Sequence, residues 1–415
     1  MTAIVAVLNK HAVAVAADSA VTMGDTHKVV NSANKIFTLS KYHPVAVMTY
    51  NNAAFMGVPW DIIIKEYRKN LAKKSFGKLK DYVENFITFL SKRHFFCDEE
   101  TQYDCLILQL DFFVEICRNE LSQQNGIAPE KQSETNLKEK FAKCKEGLEN
   151  SERCPKFENY TYEEFKKHIY ATVEKYPNKE KPNLSDELCE AFFYYLSAKI
   201  EIPINTGLVF VGYGEEEIYP SLYPLNVSLV VDNRLRYYCN KDQVVEISDH
   251  GCATSIIPFA QIDVTQTIVR GINPTFQDIL NDVIGNTVSS TFRLIAERLA
   301  KDSSTAAMAP VIQKIDSSSL TNTAINLIQQ EMFKRYTEPL LQTVIGLDKE
   351  DMANMAESFI SLTSLVRRMQ PGEETVGGPV DVAVISKGDG FVWINRKHYF
   401  KPELNATFFQ NYLKK

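Results

Sequence analysis

The chain has 415 residues, of which 45% are apolar and 24% are charged, and its net charge is −6. This composition is ordinary for a folded globular protein with a large core. Basic residues are dispersed, which does not indicate a nucleic-acid surface, and no apolar run reaches the roughly 20 residues of a membrane helix. We therefore expect a cytoplasmic protein that binds neither nucleic acid nor membrane.

The eight cysteines include no CxxC pair, and the seven histidines show no ligand spacing such as HExxH. Neither a metal site nor a cofactor is expected from these spacings. Five of the cysteines lie between residues 97 and 154. Free thiols are favoured there, and a small disulfide cluster is the alternative.

The first sixty residues are rich in strand-forming side chains. Residues 3–8 and 12–17 are nearly all Ala, Val, Ile and Leu, and a short polar turn separates them. This pattern predicts a hairpin whose strands are buried on both faces. A polar turn through Asp25 and His27 follows, and then strands are expected over 35–39 and 44–50.

The middle of the chain alternates between helical and strand patterns. Apolar residues at three- and four-residue spacing predict helices over much of 53–200. The polar, Lys- and Glu-rich segment 120–185 indicates an exposed appendage or a loosely ordered insertion. Strands are predicted at 207–212, 218–223, 227–231 and 235–238, and a helix from 256 to 271.

A long helical stretch is expected over 274–369, followed by a terminal hairpin within 380–394. Strands at both ends with helical blocks between them predict an α+β fold, a four-layer αββα sandwich with large helical insertions. The expected domain division is a discontinuous core (2–94, 201–299 and 356–400), helical insertions (95–200 and 300–355) and a C-terminal tail (401–415).

The second residue carries the first chemical indication. Removal of Met1 would leave Thr2 with a hydroxyl and a free α-amine on one residue. An α-amine with a pKa of about 7.7–8.0 can accept the hydroxyl proton near neutral pH. Thr2 is therefore a candidate nucleophile with its own base.

Several segments together suggest a family. Residues 2–7, 16–19 and 21–26 and the triplet Asn34-Lys35-Ile36 resemble proteasome β subunits and the bacterial heat-shock-locus peptidase, members of the N-terminal-nucleophile hydrolase superfamily. The resemblance implies that Lys35 eases deprotonation of Thr2 and that Asp18 holds the Lys35 ammonium. An ordinary structural ion pair between Asp18 and Lys35 is the alternative.

The spacing from Asp18 to Lys35 is one residue longer than in the family, which leaves Lys28 as a rival lysine. The resemblance also places the Asn51 amide in the oxyanion hole. It places Ser255 near the threonine amine, and Glu373 where the family has an aspartate. The glycine pair at 377–378 resembles the pair that leads into the family's last core strand, and the alternative is that it is only a turn before a strand.

The resemblance implies a threonine-nucleophile amide hydrolase, a proteasome-like peptidase that forms an acyl-ester on Thr2. It also implies a peptide or protein substrate, a homo-oligomer and an unfoldase ATPase partner. One alternative is an amidase for small molecules. The other is a non-catalytic scaffold or regulatory subunit that uses its insertions to bind partners.

Overall fold

The computed structural model describes residues 2–23, 28–92, 98–179, 182–302, 304–370, 376–398, 400–407 and 410. The predicted mixture of helices and antiparallel sheets is confirmed. The chain falls into two compact units. The first unit comprises 1–32, 249–382 and 395–415, and the second comprises 33–248 and 383–394. The predicted division into core and insertions stays a prediction.

The strands of the first unit are β1 (Ala3–Leu8), β2 (Val13–Ala17), β3 (Val21–Met23) and β4 (Lys28–Val30), and later β13 (Ser255–Ala260). β1 lies between β2 and β13 and is antiparallel to both. Every residue of β1 and β2 is buried, as their uninterrupted apolar sequence predicts. β3 and β4 form a separate antiparallel pair. The predicted turn through Asp25 and His27 lies outside the described residues.

The helices of the first unit are α7 (Asp263–Arg270), α8 (Pro274–Ala300), α9 (Ala309–Gln313), α10 (Ser318–Met332), α11 (Glu338–Ile345) and α12 (Lys349–Met369). α12 packs on β1 and β2 and buries Met352, Phe359 and Ile360 there.

The helix predicted from 256 to 271 is wrong in its first half, because β13 occupies 255–260 and α7 begins only at Asp263. Pro258 has no N–H to donate, which disfavours a helix interior but is tolerated at the edge of a sheet.

The strands of the second unit are β5 (Ile36–Thr38), β6 (Val45–Asn51), β7 (Ala54–Phe55), β8 (Val58–Pro59), β9 (Thr206–Gly212), β10 (Ser221–Val231), β11 (Arg234–Cys239) and β12 (Val245–Glu246). Five of them form an antiparallel sheet in the order β11-β10-β9-β6-β5. The strands predicted at 218–223 and 227–231 are one strand, β10. Near the C-terminus, β14 (Asp381–Ser386) and β15 (Gly390–Asn395) match the predicted hairpin segment.

The helices of the second unit are α1 (Trp60–Leu71), α2 (Leu79–Lys92), α3 (Glu99–Asn125), α4 (Glu134–Leu148), α5 (Tyr162–Lys175) and α6 (Asp186–Ser197). α1 and α2 share a hydrophobic cluster with the sheet, and α3 to α6 build a second cluster. Of the two alternatives for 120–185, the loosely ordered insertion is wrong, because α4 and α5 bury Phe141, Phe165 and Ile169. A capping box between Thr161 and Glu164 starts α5. Within the described residues, no helix has the length and apolar content needed to span a membrane.

Candidate functional site

Thr2 lies directly before β1 and is only 4% exposed. Its carbonyl accepts a hydrogen bond from the Gln261 N–H at 3.1 Å. The next N–H along the chain, that of Ala3, donates to the Asp18 carboxylate at 2.8 Å. The carbonyl and the N–H of the peptide bond between Thr2 and Ala3 are therefore both held by residues distant in sequence.

Asp18 follows β2 and is 1% exposed. Besides Ala3, its carboxylate accepts hydrogen bonds from the backbone N–H groups of Ala20 at 3.0 Å and Gly377 at 3.2 Å. The Asp18 N–H in turn donates to the Ala3 carbonyl at 3.1 Å. These contacts fix a buried carboxylate beside the peptide bond that joins Thr2 to Ala3.

The glycine pair at 377–378 helps to hold the segment around Asp18, in addition to forming a turn. The Gly377 carbonyl accepts a hydrogen bond from the Ser19 N–H at 3.0 Å, and the Ser19 hydroxyl donates to the Pro379 carbonyl. Gly378 has a φ of 74°, and a Cβ there would lie 2.8 Å from the Asn31 Cβ. Only glycine suits that backbone conformation and space.

The role of Gly377 as a donor to Asp18 was not predicted from the sequence, although the pair of adjacent glycines was the signal available. The other residue predicted in this segment, Glu373, lies outside the described residues.

The structure does not bring Ser255 to Thr2. Ser255 pairs with Leu8 at one end of β1, whereas Ala260 pairs with Ala3 at the other. Five residues of strand correspond to about 17 Å. The residue of that segment that reaches the backbone of Thr2 is Gln261. The family resemblance, which placed Ser255 near the amine, does not hold here, because residues 255–260 form a strand.

Lys35 belongs to the second unit, where it directly precedes β5 and is 3% exposed. Its carbonyl accepts a hydrogen bond from the Thr49 N–H at 2.9 Å. A lysine ammonium is buried only when other groups compensate its charge. The side chain of Lys28 lies outside the described residues, so the choice between the two lysines stays a prediction.

Asn51 is the last residue of β6 and has a φ of 66°, the left-handed region that asparagine tolerates better than most residues. Its side-chain amide donates to the Glu201 carboxylate and to the Asn205 amide oxygen, both at 3.0 Å. Burial, followed by the Glu201 charge, raises the pKa of the adjacent Tyr50. The Asn51 side chain thus belongs to a polar cluster of the second unit.

The predicted residues divide between the two units. Thr2, Asp18 and Ser255 belong to the first unit, and Lys35 and Asn51 belong to the second. The roles of Lys35 and Asn51 toward Thr2 therefore stay predictions. Among the described residues, no group of three or more His, Cys, Asp or Glu side chains is arranged to hold a metal ion.

No family model matches the chain, and no curated protein matches its sequence. Among solved structures, the chain is similar to Anbu (ancestral beta-subunit) from Yersinia bercovieri, with a TM-score of 0.29 and 8% identity over 99% of this chain and 94% of that one. It is also similar to the Anbu (Gly-1) mutant from Hyphomicrobium sp. strain MC1, with a TM-score of 0.32 and 7% identity over 100% of this chain and 98% of that one.

The identification as a member of the N-terminal-nucleophile hydrolase superfamily is wrong. No family model matches the chain, and the structures to which it is similar share 7% and 8% identity with it. The motifs behind the identification are short. A buried hairpin ending in an aspartate, and a glycine pair before a strand, also occur as ordinary structural features.

Proposed function

We propose that this chain is an amide hydrolase whose nucleophile is the hydroxyl of Thr2, released by removal of Met1. The observation that carries the proposal is the hydrogen bond from the Ala3 N–H to the Asp18 carboxylate at 2.8 Å. It fixes a buried acidic group one residue from the candidate nucleophile. A rigid backbone at this position favours catalysis, because a nucleophile must be held in one geometry.

The proposed reaction uses the Thr2 α-amine as general base. The amine accepts the hydroxyl proton while the oxygen attacks the substrate carbonyl, and the proton then passes to the leaving amine. Water hydrolyses the resulting acyl-ester and regenerates Thr2. The roles expected from the sequence for Lys35 and for the Asn51 N–H toward Thr2 stay predictions. Ser255 has no role because of its distance from Thr2.

Peptide bonds are the proposed substrates, with amide bonds of small molecules as the alternative. A cytoplasmic location and a four-layer αββα architecture belong to the same proposal. The buried character of Thr2 supports a substrate that enters a confined site, since the residue is 4% exposed. The predicted unfoldase partner stays a prediction.

Intact-mass spectrometry of the full chain, with and without a peptide boronate or epoxyketone, tests the hydrolase. We expect a protein without Met1 that gains a single adduct. Thr2→Ala should lose the adduct, and Asp18→Asn should slow its formation at least about tenfold. Thr38→Ala is a matched control, because Thr38 is a half-buried threonine whose hydroxyl bonds only locally, to the Ser40 carbonyl. Retained Met1, or an adduct that persists in Thr2→Ala, would overturn the proposal.

A second candidate function, an assembly scaffold, is supported by the helices over 274–345, here called the helical arm. Only Ala296 is buried in the 27 residues of α8, and α10 has no buried residue. Large apolar side chains of the arm are exposed, including Phe276, Val283, Leu294, Val311, Leu327 and Phe333. Soluble monomers rarely expose so many apolar residues in one region, which indicates an interaction surface.

A second copy of this chain is the proposed partner. The arm contains seven acidic and six basic residues, so its net charge is near zero. Two such surfaces would approach without strong electrostatic repulsion. Light scattering after size-exclusion chromatography should therefore report an oligomer, and Leu327→Asp should convert it to smaller species. Ile218→Asp is the control, because Ile218 is 76% exposed but lies outside the arm. A monomeric wild-type protein at micromolar concentration would contradict this candidate.

A further inference from the structure

Two cysteines of the second unit have sulfur atoms in contact. Cys117 lies on α3 and Cys144 on α4, two helices that pack together, and their Sγ atoms are 3.8 Å apart. All seven cysteines in the described part of the chain are free thiols. A disulfide has a sulfur–sulfur distance of about 2.05 Å, so the two atoms need to approach by about 1.8 Å. Small side-chain rotations of neighbouring cysteines can supply a movement of this size.

The two thiols differ in access. Cys117 is 1% exposed, whereas Cys144 is half-buried. A dissolved oxidant therefore reaches Cys144 first. The buried Cys117 thiol then lies 3.8 Å from the Cys144 sulfur. This is the arrangement of an attacking thiol and a resolving thiol.

The surroundings favour a thiolate at Cys144. Lys140 lies one turn earlier on α4 and forms an ion pair with Glu120, which lies one turn after Cys117 on α3. The hydrogen bond from Cys117, and next the positive charge of Lys140, lower the pKa of Cys144 to about 7 against the opposing effect of burial. The hydrogen bond and burial raise the pKa of Cys117. Of the two thiols, Cys144 is therefore the one that more readily becomes the reactive thiolate.

We propose that Cys117 and Cys144 are a reversible redox pair that small-molecule disulfides oxidise to a cross-link between α3 and α4. The Cys144 thiolate attacks one sulfur of the small disulfide, forms a mixed disulfide and releases one thiolate. Cys117 then loses its proton to water and attacks the Cys144 sulfur, which releases the second thiolate. Two protein thiols are oxidised, and one small disulfide is reduced to two thiols. Neither cysteine belongs to the predicted catalytic set.

The cross-link has a structural consequence. It closes a segment that includes the end of α3, the connection and most of α4, since the two cysteines are 27 positions apart in sequence. Closing such a loop restricts the unfolded chain more than the folded one, in which both helices are already packed. The oxidised protein should therefore unfold at a higher temperature, by on the order of 5 °C.

Peptide mapping of the full chain without reductant, after incubation with oxidised glutathione, tests the pair. We expect one internal disulfide joining peptides that contain Cys117 and Cys144, and its loss after addition of dithiothreitol. Both thiols remaining unmodified, or joining other cysteines, would overturn the proposal. Mapping of the wild-type protein decides this without any variant that could fail to fold.

Serine variants separate the two roles. Cys117→Ser should stop at a mixed disulfide on Cys144, because the resolving thiol is missing. Cys144→Ser should leave Cys117 unmodified, because Cys117 is buried. Cys189→Ser is a matched control at a buried cysteine of α6, and it should form the cross-link as the wild type does. A mixed disulfide on Cys117 in Cys144→Ser would contradict the assigned order of attack.

Discussion

Two helical regions of this protein differ in the extent to which their residues are buried. In α6, which belongs to the cluster formed by α3 to α6, eight of 12 residues are buried. In α8, which belongs to the helical arm, one of 27 residues is buried. The sequence predicted helices in both regions, and in the first the prediction rested on apolar residues at three- and four-residue spacing. Such spacing indicates that a helix forms, but not whether its own unit provides the surface that covers it.

The side chains explain the difference. The cluster of α3 to α6 is aromatic, and Phe192 contacts the rings of Phe113, Phe165 and Tyr195 at centroid distances of 5.8 to 6.4 Å. Large rings from three helices fill one interior. The apolar residues of the arm are mostly aliphatic, and many of these are exposed on α8 and α10. The first region is thus stabilised internally, whereas the second is available for a partner.

The largest expected effect tests this difference directly. Phe192→Ala should lower the free energy of unfolding by about 4 kcal/mol, because it leaves a cavity in the aromatic cluster. Leu327→Ala, in the arm, should change it by less than about 0.5 kcal/mol in the dissociated protein. Urea denaturation monitored by circular dichroism measures both. Similar losses for the two variants would show that the arm is buried to the same extent as the cluster.

A second contrast is between a buried arginine of the second unit, Arg236, and an exposed arginine of the arm, Arg293. The Arg236 side chain is fully buried and donates to the carbonyls of Leu196, Ala198 and Ile200 at 2.7 to 2.8 Å, and to the Ser228 hydroxyl at 3.0 Å. Burial lowers the pKa of Arg236. These carbonyls belong to the end of α6 and the residues after it, so the guanidinium completes the helix terminus.

Arg236→Ala should destabilise the protein by about 3 kcal/mol, because several buried acceptors lose their donor together. Arg293→Ala is the control in the arm, since Arg293 is 71% exposed and its ion pair with Glu297 spans 3.8 Å. That variant should cost at most about 0.5 kcal/mol. The same denaturation experiment measures both, and equal effects would contradict the assigned role of Arg236.

Local patterns were predictable from the sequence, whereas partners distant in sequence were not. The buried strands β1 and β2 follow from their composition alone. The donors to the Asp18 carboxylate come from residues 3, 20 and 377, and no local pattern relates the last of these to Asp18. Arg236 lies between apolar residues of β11 and has the alternation of a half-exposed strand, so its burial could not be anticipated.

The misplaced Ser255 shows the same limit at the candidate site. The family resemblance placed the serine near the amine, although the observed register with β1 puts it at the far end of the strand. Strand register depends on pairing between distant segments. Thr2 and Asp18, by contrast, lie at matching ends of one short hairpin, so their proximity follows from local sequence.

A smaller effect is expected where α7 meets the arm. Gly271 has a φ of 76°, and a Cβ there would lie 2.4 Å from the Tyr336 ring. Gly271→Ala should cost about 2 kcal/mol, because backbone strain adds to displacement of the ring. Gly57→Ala isolates the strain alone, since Gly57 has a φ of 83° and a Cβ added there would meet no atom within 4 Å. It should cost about 1 kcal/mol, and equal losses by differential scanning calorimetry would argue against the Tyr336 contact.

The smallest expected effect is a pH dependence of the free energy of unfolding, which arises from His168 in the α3 to α6 region. Burial, followed in the same direction by Arg234, lowers the pKa of His168 on α5 from 6.5, and the carboxylates of Asp232 and Glu99 oppose this shift. The unfolded chain therefore binds more protons than the folded one between the lowered pKa and pH 6.5. Stability from this group is complete above pH 6.5 and is lost as pH falls through that window. His168→Gln should reduce the loss of stability between pH 7 and pH 5 in urea denaturation. A variant whose profile runs parallel to the wild type would show that His168 does not contribute.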